Sequence, residues 1–169
     1  VVGRTSGGAF GPEDVGAVLE RCRLLLKHQA ELQGVKLSAV AAPGLPRIVC
    51  DGSQIQQMVL ALAINALEAT PSGGEVVLEA RPGEGEGIVL EVRDTGAGIP
   101  PEHVPRIFEP FFTTKAVGKG VGLGLSVVYG IVHRHGGRVD VRSTPGAGTT
   151  FVVTLPGRPP QEEGERREP

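Results

Sequence analysis

The 169-residue sequence has no tryptophan, one tyrosine, one methionine and two cysteines. With so few large aromatics it offers little on which nucleic-acid bases could stack. A strong charge of either sign is also lacking: the formal net charge is −2, which gives no electrostatic case for nucleic acid or an anionic membrane. Cys22 and Cys50 stand apart, with no Cys-x-x-Cys, so neither a zinc ribbon nor a disulfide framework can be built, and reduced thiols in a cytoplasmic setting are expected. No apolar run approaches the roughly 20 residues a membrane span requires. What is present is glycine and proline, 26 and 14 residues, a level near that of low-complexity chains. Disorder needs few apolar residues and high charge, whereas 40% of this chain is hydrophobic. The expectation is one soluble domain whose glycines serve a purpose. The chain begins Val-Val rather than with Met, as a piece of a longer protein would.

Both ends lack periodicity. Residues 1–11 and 156–169 read as tails. Pro12, Glu13 and Asp14 carry a helix-start signature, and Val15, Val18, Leu19, Cys22, Leu25, Leu26 and Leu32 follow at helical spacing up to Gly34. This stripe suits either the domain's own sheet or a partner helix outside the chain. Val35–Ala41 alternates as a strand, and Arg47–Cys50 is a second, short one. Asp51 or Ser53 caps a helix over 53–69. Glu75–Arg81 and Ile88–Arg93 form a hairpin, Leu123–His135 a helix closed by Gly136-Gly137, and Arg138–Arg142 with Thr149–Leu155 a last hairpin around Pro145-Gly146. Residues 95–121 have no period, and a stretch of that length inside a compact domain is usually a functional lid or disordered. The order suggests an α+β fold, a two-layer α/β sandwich in which helices cover a mixed sheet.

Three places carry chemistry. Asp94 ends a strand and is followed by Gly96, Gly98 and Ile99, so a carboxylate can accept from a ligand donor while glycines let the ligand approach the backbone. Gly118, Gly120, Gly122 and Gly124 run into a helix, where exposed N–H groups at a positive helix end make a phosphate cradle. That run is neither a Walker A nor a Rossmann turn, because Lys119 is followed by glycine and no strand directly precedes it. Asn65 shares a helix face with Ala61 and Glu68. Its amide oxygen suits a hard cation such as Mg2+, but from spacing alone an ordinary exposed helical asparagine is the better reading.

In order along the chain stand Asn65-Ala66, Asp94-x-Gly96-x-Gly98-Ile99, Phe108-Glu109-Pro110-Phe111-Phe112-Thr113-Thr114-Lys115, Gly120-Val121-Gly122-Leu123-Gly124-Leu125-Ser126 and Gly148-Thr149-Thr150-Phe151. Together these resemble the N, G1, F, G2 and G3 boxes of the catalytic, ATP-binding domain of sensor histidine kinases, over about Pro12 to Leu155. The Phe-Glu-Pro-Phe-Phe-Thr-Thr-Lys run is similar to that of the nitrogen-regulation subgroup. The resemblance implies the Bergerat fold shared with gyrase, chaperone and mismatch-repair ATPases, with a sheet of about five strands, helices on one face and a lid near 95–121. It implies ATP, with ADP as product, and Mg2+. Asp94 would accept from the adenine amino group, Gly96 and Gly98 would line the base, and Ile99 and Thr149 would flank it. Asn65 would hold Mg2+. Gly120, Gly122, Leu123 and Gly124 would wrap the phosphates, with Lys115 or Lys119 reaching the terminal one. The three phenylalanines of the F box would anchor the lid.

The chain departs from the family pattern at two positions. Ala61 stands where the N box has a first Asn and where gyrase-like ATPases have the Glu that activates water, so hydrolysis by that route is not expected. Val121 stands where a Thr or Ser is common. Family kinases phosphorylate a His followed by an acidic residue on a helical dimerisation domain. His28, His103, His133 and His135 are followed by Gln29, Val104, Arg134 and Gly136, so the acceptor is expected elsewhere, joined through helix 12–34; His133 and His135 close a helix, where a cation complements the dipole. The implied partners are that domain and a response regulator receiver domain, not nucleic acid. A monomeric fragment of a homodimeric protein, cytoplasmic or anchored through a segment outside this chain, is the corresponding expectation. A nucleotide-binding regulator that transfers nothing, or a serine kinase of the anti-sigma type, would use the same fold.

Overall fold

The structure, a computed structural model, describes residues 9–109 and 123–160. Its elements in chain order are β1 (Phe10–Glu13), α1 (Val15–Gln33), β2 (Lys36–Ala41), β3 (Ile48–Asp51), α2 (Gly52–Ala69), β4 (Glu75–Pro82), β5 (Ile88–Asp94), a 3-10 turn (Val104–Arg106), α3 (Leu123–Arg134), β6 (Arg138–Thr144) and β7 (Gly148–Leu155). A five-stranded sheet has the order β2-β4-β5-β7-β6, and β1 pairs with β3 in a separate ribbon. β2 and β4 run parallel, with β3 and α2 in the crossover, and the other neighbours are antiparallel. This is the expected mixed sheet with helices on one face.

Period-2 alternation on the central strands builds the core. Val76, Leu78 and Ala80 of β4, Ile88, Leu90 and Val92 of β5, and Phe151, Val153 and Leu155 of β7 are all buried. They meet Val18, Leu19, Cys22 and Leu26 of α1, Ile55, Met58, Val59 and Leu62 of α2, and Val128, Ile131 and Val132 of α3. Burying a large aliphatic side chain of this kind is worth about 1.5–3 kcal/mol, so this two-sided apolar layer dominates the stability. The α1 stripe is thereby largely resolved: Val15, Val18, Leu19, Cys22 and Leu26 pack inside the domain, while Leu25 and Leu32 stay 58% and 75% exposed. Both thiols are free and buried, and desolvation pushes Cys22 up to about 11 and Cys50 to about 12, which keeps them protonated and unreactive.

The helix start differs from expectation. α1 begins at Val15 behind Asp14, whose carboxylate accepts from the Ala17 N–H at 3.3 Å. Phe10–Glu13, expected as the end of a tail and a first helical turn, is instead a strand in register with Ile48–Asp51. Asp14 is the stronger start signal because its side chain satisfies a free helical N–H, and a two-stranded ribbon tolerates Pro12, which has no N–H to give. At the other end Gly157 returns to the fold, its carbonyl accepting from Val49 N–H at 2.8 Å.

Candidate functional site

α2 is the floor of the site. Asp51 caps it, with Oδ1 accepting from the N–H groups of Ser53 and Gln54 at 3.1 and 3.2 Å. At its far end the segment following β5 leans on the last turn: Ala97 N–H donates to the Ala69 carbonyl at 3.2 Å. A side chain at position 96 would collide with that same carbonyl, so the close approach requires Gly96. Near its middle, Ala61 faces the beginning of α3, where a Cβ on Gly124 would stand 4.0 Å from Ala61 Cβ. Ala61, Asn65 and Ala69 follow at i, i+4 and i+8 on one face, spanning about 12 Å along the axis. Asn65 therefore stands one turn from the Asp94 loop and one turn from the α3 glycine. It is half-buried.

The Asp94 end is held by short polar contacts. Asp94 and Thr149 are opposite partners on β5 and β7. Asp94 Oδ1 accepts from Gly96 N–H at 2.8 Å and from Thr149 N–H at 3.3 Å, while Oδ2 takes no hydrogen bond from the described residues. Asp94 is 8% exposed, and burial pushes its pKa above the ordinary value of 3.8, only partly opposed by the two N–H donors. Thr149 Oγ1 lies 2.9 Å from Ser143 Oγ, and Ser143 Oγ accepts from Ile99 N–H at 2.7 Å. Gly98 adopts φ +80° with the Thr144 carbonyl where a Cβ would be, so only glycine fits there. The β6–β7 turn joins the same wall, Gly146 N–H donating to the Ala97 carbonyl at 2.7 Å.

The structure thus brings Asp94, Gly96, Gly98, Ile99 and Thr149 together, sets Asn65 on the floor beside them, and places Gly124 at the start of α3. Lys115, Lys119, Gly120 and Gly122 lie outside the described residues, as do Phe111 and Phe112. Phe108 packs its ring 6.1 Å from those of Phe151 and Tyr129, and Ile107 beside it is buried. Ser143 was not singled out from the sequence, although a hairpin centred on Gly146 already sets it opposite Thr149. His135 is a correction. As a residue closing a helix it is expected to be a cation facing the dipole, but it is 2% exposed and burial lowers its pKa below 6.5. It continues the buried face of Val128, Ile131 and Val132, so the apolar stripe outweighs the helix end.

Among the described residues no cluster of three or more His, Cys, Asp or Glu side chains could hold a metal ion. A cation at Asn65 would therefore need most of its ligands from a bound anion and water, which suits Mg2+ carried on phosphates. Among the described residues no helix is long and apolar enough to cross a membrane.

Residues 50–159 match the family of histidine kinase-, DNA gyrase B- and HSP90-like ATPases. The chain is 42% identical to the sensor kinase CckA of Brucella abortus, over 85% of this chain and 16% of that protein. It is 35% identical to sporulation kinase E of Bacillus subtilis, over 82% of this chain and 19% of that protein. The chain thus spans less than a fifth of either relative. The structure of full-length ShkA in complex with AMPPNP superimposes with a TM-score of 0.81 at 30% identity, covering 91% of this chain and 32% of that one. The chain belongs to the histidine kinase-, DNA gyrase B- and HSP90-like ATPases, as an ATP-binding domain of the sensor histidine kinase type.

Proposed function

We propose that this domain binds Mg-ATP and presents the γ-phosphate to a histidine on a helical dimerisation domain outside the chain. The observation that carries the reading is the spacing along α2. A carboxylate with one oxygen, Asp94 Oδ2, unbonded among the described residues stands beyond one end of the 61–69 face and a helix-opening glycine, Gly124, at the other, with the Asn65 amide between them. An adenine amino group donates to Asp94 Oδ2, with Gly98, Ile99 and Thr149 around the ring. Phosphates run along α2 past Asn65 toward Gly120, Gly122, Leu123 and Gly124, with Lys115 or Lys119 at the terminal one. Mg2+ would supply charge neutralisation on the phosphates, with Asn65 as its protein ligand. Phosphoryl transfer of this kind depends on positioning and electrostatics, with little covalent work for the protein. ADP remains as product, and a response regulator receiver domain takes the phosphate onward. The fragment is a monomer, and the whole protein a dimer through its helical domain, with the catalytic domain in the cytoplasm.

Mixing this chain with the separately produced dimerisation domain and γ-labelled ATP tests the reading. Acid-labile label on the acceptor supports it. Acid-stable phosphoserine on a partner protein would instead indicate a serine kinase of the anti-sigma type. For Asn65→Ala, calorimetry should find ATP affinity nearly insensitive to Mg2+, and an undiminished Mg2+ dependence removes Asn65 from the metal site. One observation favours a second reading, a nucleotide-dependent regulator that transfers nothing: Ala61 puts a methyl group where the N box has its first Asn. Tight binding of ATP with no label transferred would support it.

A further inference from the structure

His135 is bonded at both ring nitrogens. Nε2 accepts from the backbone N–H of Asp51 at 3.1 Å, and Nδ1 lies 2.8 Å from the Ile131 carbonyl. The first partner is a backbone donor and the second a backbone acceptor, so the ring is neutral with its proton on Nδ1. Asp51 is the N-cap of α2. The ring therefore joins the end of α3 to the beginning of the helix that forms the floor of the site. α3 thus lies along α2 with the Gly124 backbone facing Ala61 near one end and His135 bonded to Asp51 at the other, with Val128, Ile131 and Val132 buried between them.

A second proton on this ring breaks its bond to the α2 cap. Nε2–H would then face Asp51 N–H, donor against donor, inside a buried contact. The one feature that favours an imidazolium besides the Ile131 carbonyl is the Asp51 carboxylate, whose Oδ2 is buried without a hydrogen-bond partner among the described residues and which a protonated ring could reach only by leaving the Asp51 N–H. Phe10 of β1 packs on the ring at 4.9 Å between centroids, and the Arg134 guanidinium lies 5.8 Å over that Phe10 ring. Burial disfavours the charged form most, with Arg134 on the same side, and together they outweigh the Ile131 carbonyl and the Asp51 carboxylate, which favour it. Glu13 of β1 is packed against Gly52 beside the same cap.

We propose that His135 is a positioning residue for nucleotide binding: as a neutral ring it ties the end of α3 to the cap of α2, and when protonated it frees that end and weakens the domain's hold on ATP. This rests on the reading above that ATP lies between α2 and α3. The mechanical link is that α3 is a single helix of 12 residues, so releasing its last turn lets it pivot on the Val128–Val132 contact and lift Gly124 from Ala61.

Two amide substitutions separate the roles of the ring nitrogens. In His135→Gln the amide oxygen lies near the position of Nε2 and can still accept from Asp51 N–H, but it cannot titrate. In His135→Asn the shorter amide can reach only the Ile131 carbonyl within α3. Affinity for a fluorescent ATP analogue with Mg2+ is measured at pH 7.5 and 5.0 and at 15 °C, with circular dichroism to establish that each variant is folded. Protonation of the nucleotide and of Asp94 affects all the proteins alike, so the readout is the ratio between them. The wild type should lose at least fivefold more affinity on acidification than His135→Gln, which at pH 7.5 should bind within about threefold of wild type. His135→Asn should bind at least tenfold more weakly at both pH values. Parallel losses in wild type and His135→Gln, or an Asn variant that binds like wild type, would overturn the proposal. If the wild type itself does not bind ATP at pH 7.5, the ATP reading fails. The tie is then judged by melting: a wild-type midpoint that falls between pH 7.5 and 5.0 no more than that of His135→Gln overturns it.

Discussion

Glu91 and Asp94 are three residues apart on β5, on opposite faces of the sheet, and each is 8% exposed. Glu91 has company. Arg81 approaches it at 2.8 Å, Arg93 at 3.1 Å and Arg142 at 4.0 Å, and the guanidiniums of Arg81 and Arg93 overcome burial to hold its pKa below 4.5. Asp94 has no cation within ion-pair distance among the described residues. Two backbone N–H groups occupy one of its oxygens, and burial raises its pKa. The first carboxylate completes its bonding inside the fold, as a residue serving stability should. The second is desolvated, and among the described residues only one of its oxygens is bonded, an arrangement tolerated where a ligand completes the set.

Asp94→Asn should break the contrast most strongly. It keeps an acceptor for Gly96 and Thr149 but turns an amide donor toward the adenine amino group. Losing a charged hydrogen bond of about 1.5–3 kcal/mol lowers affinity about 10- to 150-fold, and calorimetry should show it, while the melting midpoint at pH 7 stays equal or rises. Glu91→Ala should do the reverse. ATP affinity stays within twofold, and the fold loses about 1–2 kcal/mol in a denaturant titration, because three half-exposed or exposed arginines lose their central partner.

Acid distinguishes the two by sign. Glu91 has a lowered folded pKa, so its stabilisation is complete above 4.5 and is lost as pH falls through the folded value. Asp94 has a raised one, so its favourable contribution exists below 3.8 and is lost as pH rises through the folded value. Denaturation at pH 7, 5, 4 and 3 should show Glu91→Gln with less acid loss than wild type. Asp94→Asn should gain at pH 7 and not at pH 3. The smallest effect belongs to Thr149→Val, which removes the hydroxyl bonded to Ser143 but keeps the N–H to Asp94. A two- to fivefold weakening of ATP binding is expected, and none at all would take the hydroxyl out of the base pocket.

The strands and helices of the sandwich were legible because burial on one face writes itself as period 2 or 3.6, as in Glu75–Pro82 and Gly52–Ala69. β1 was not, because Phe-Gly-Pro-Glu has no period and its pairing with Ile48–Asp51 spans residues far apart in sequence. Asp94, Gly96 and Gly98 could be recognised since their residue types are required by close approach, which a local motif encodes. Ser143 and His135 could not. A serine on an alternating strand and a histidine at a helix end look like surface residues until the partners Ile99, Thr149 and Asp51 arrive from elsewhere in the chain.

The spacing of Ala61, Asn65 and Ala69 sets a rule for how this domain can change length. One residue inserted between Ala61 and Ala69 would turn everything after it by about 100° and shift it about 1.5 Å, swinging Asn65 or the Ala69 carbonyl off the shared face. The hairpin loop between β4 and β5, closed by Gly83 N–H on the Gly87 carbonyl, has no such phase to keep. Among proteins of this architecture, insertions should therefore collect at positions 83–87 and be absent from 61–69. A linker placed in that loop offers a route for attaching probes without disturbing the floor of the site.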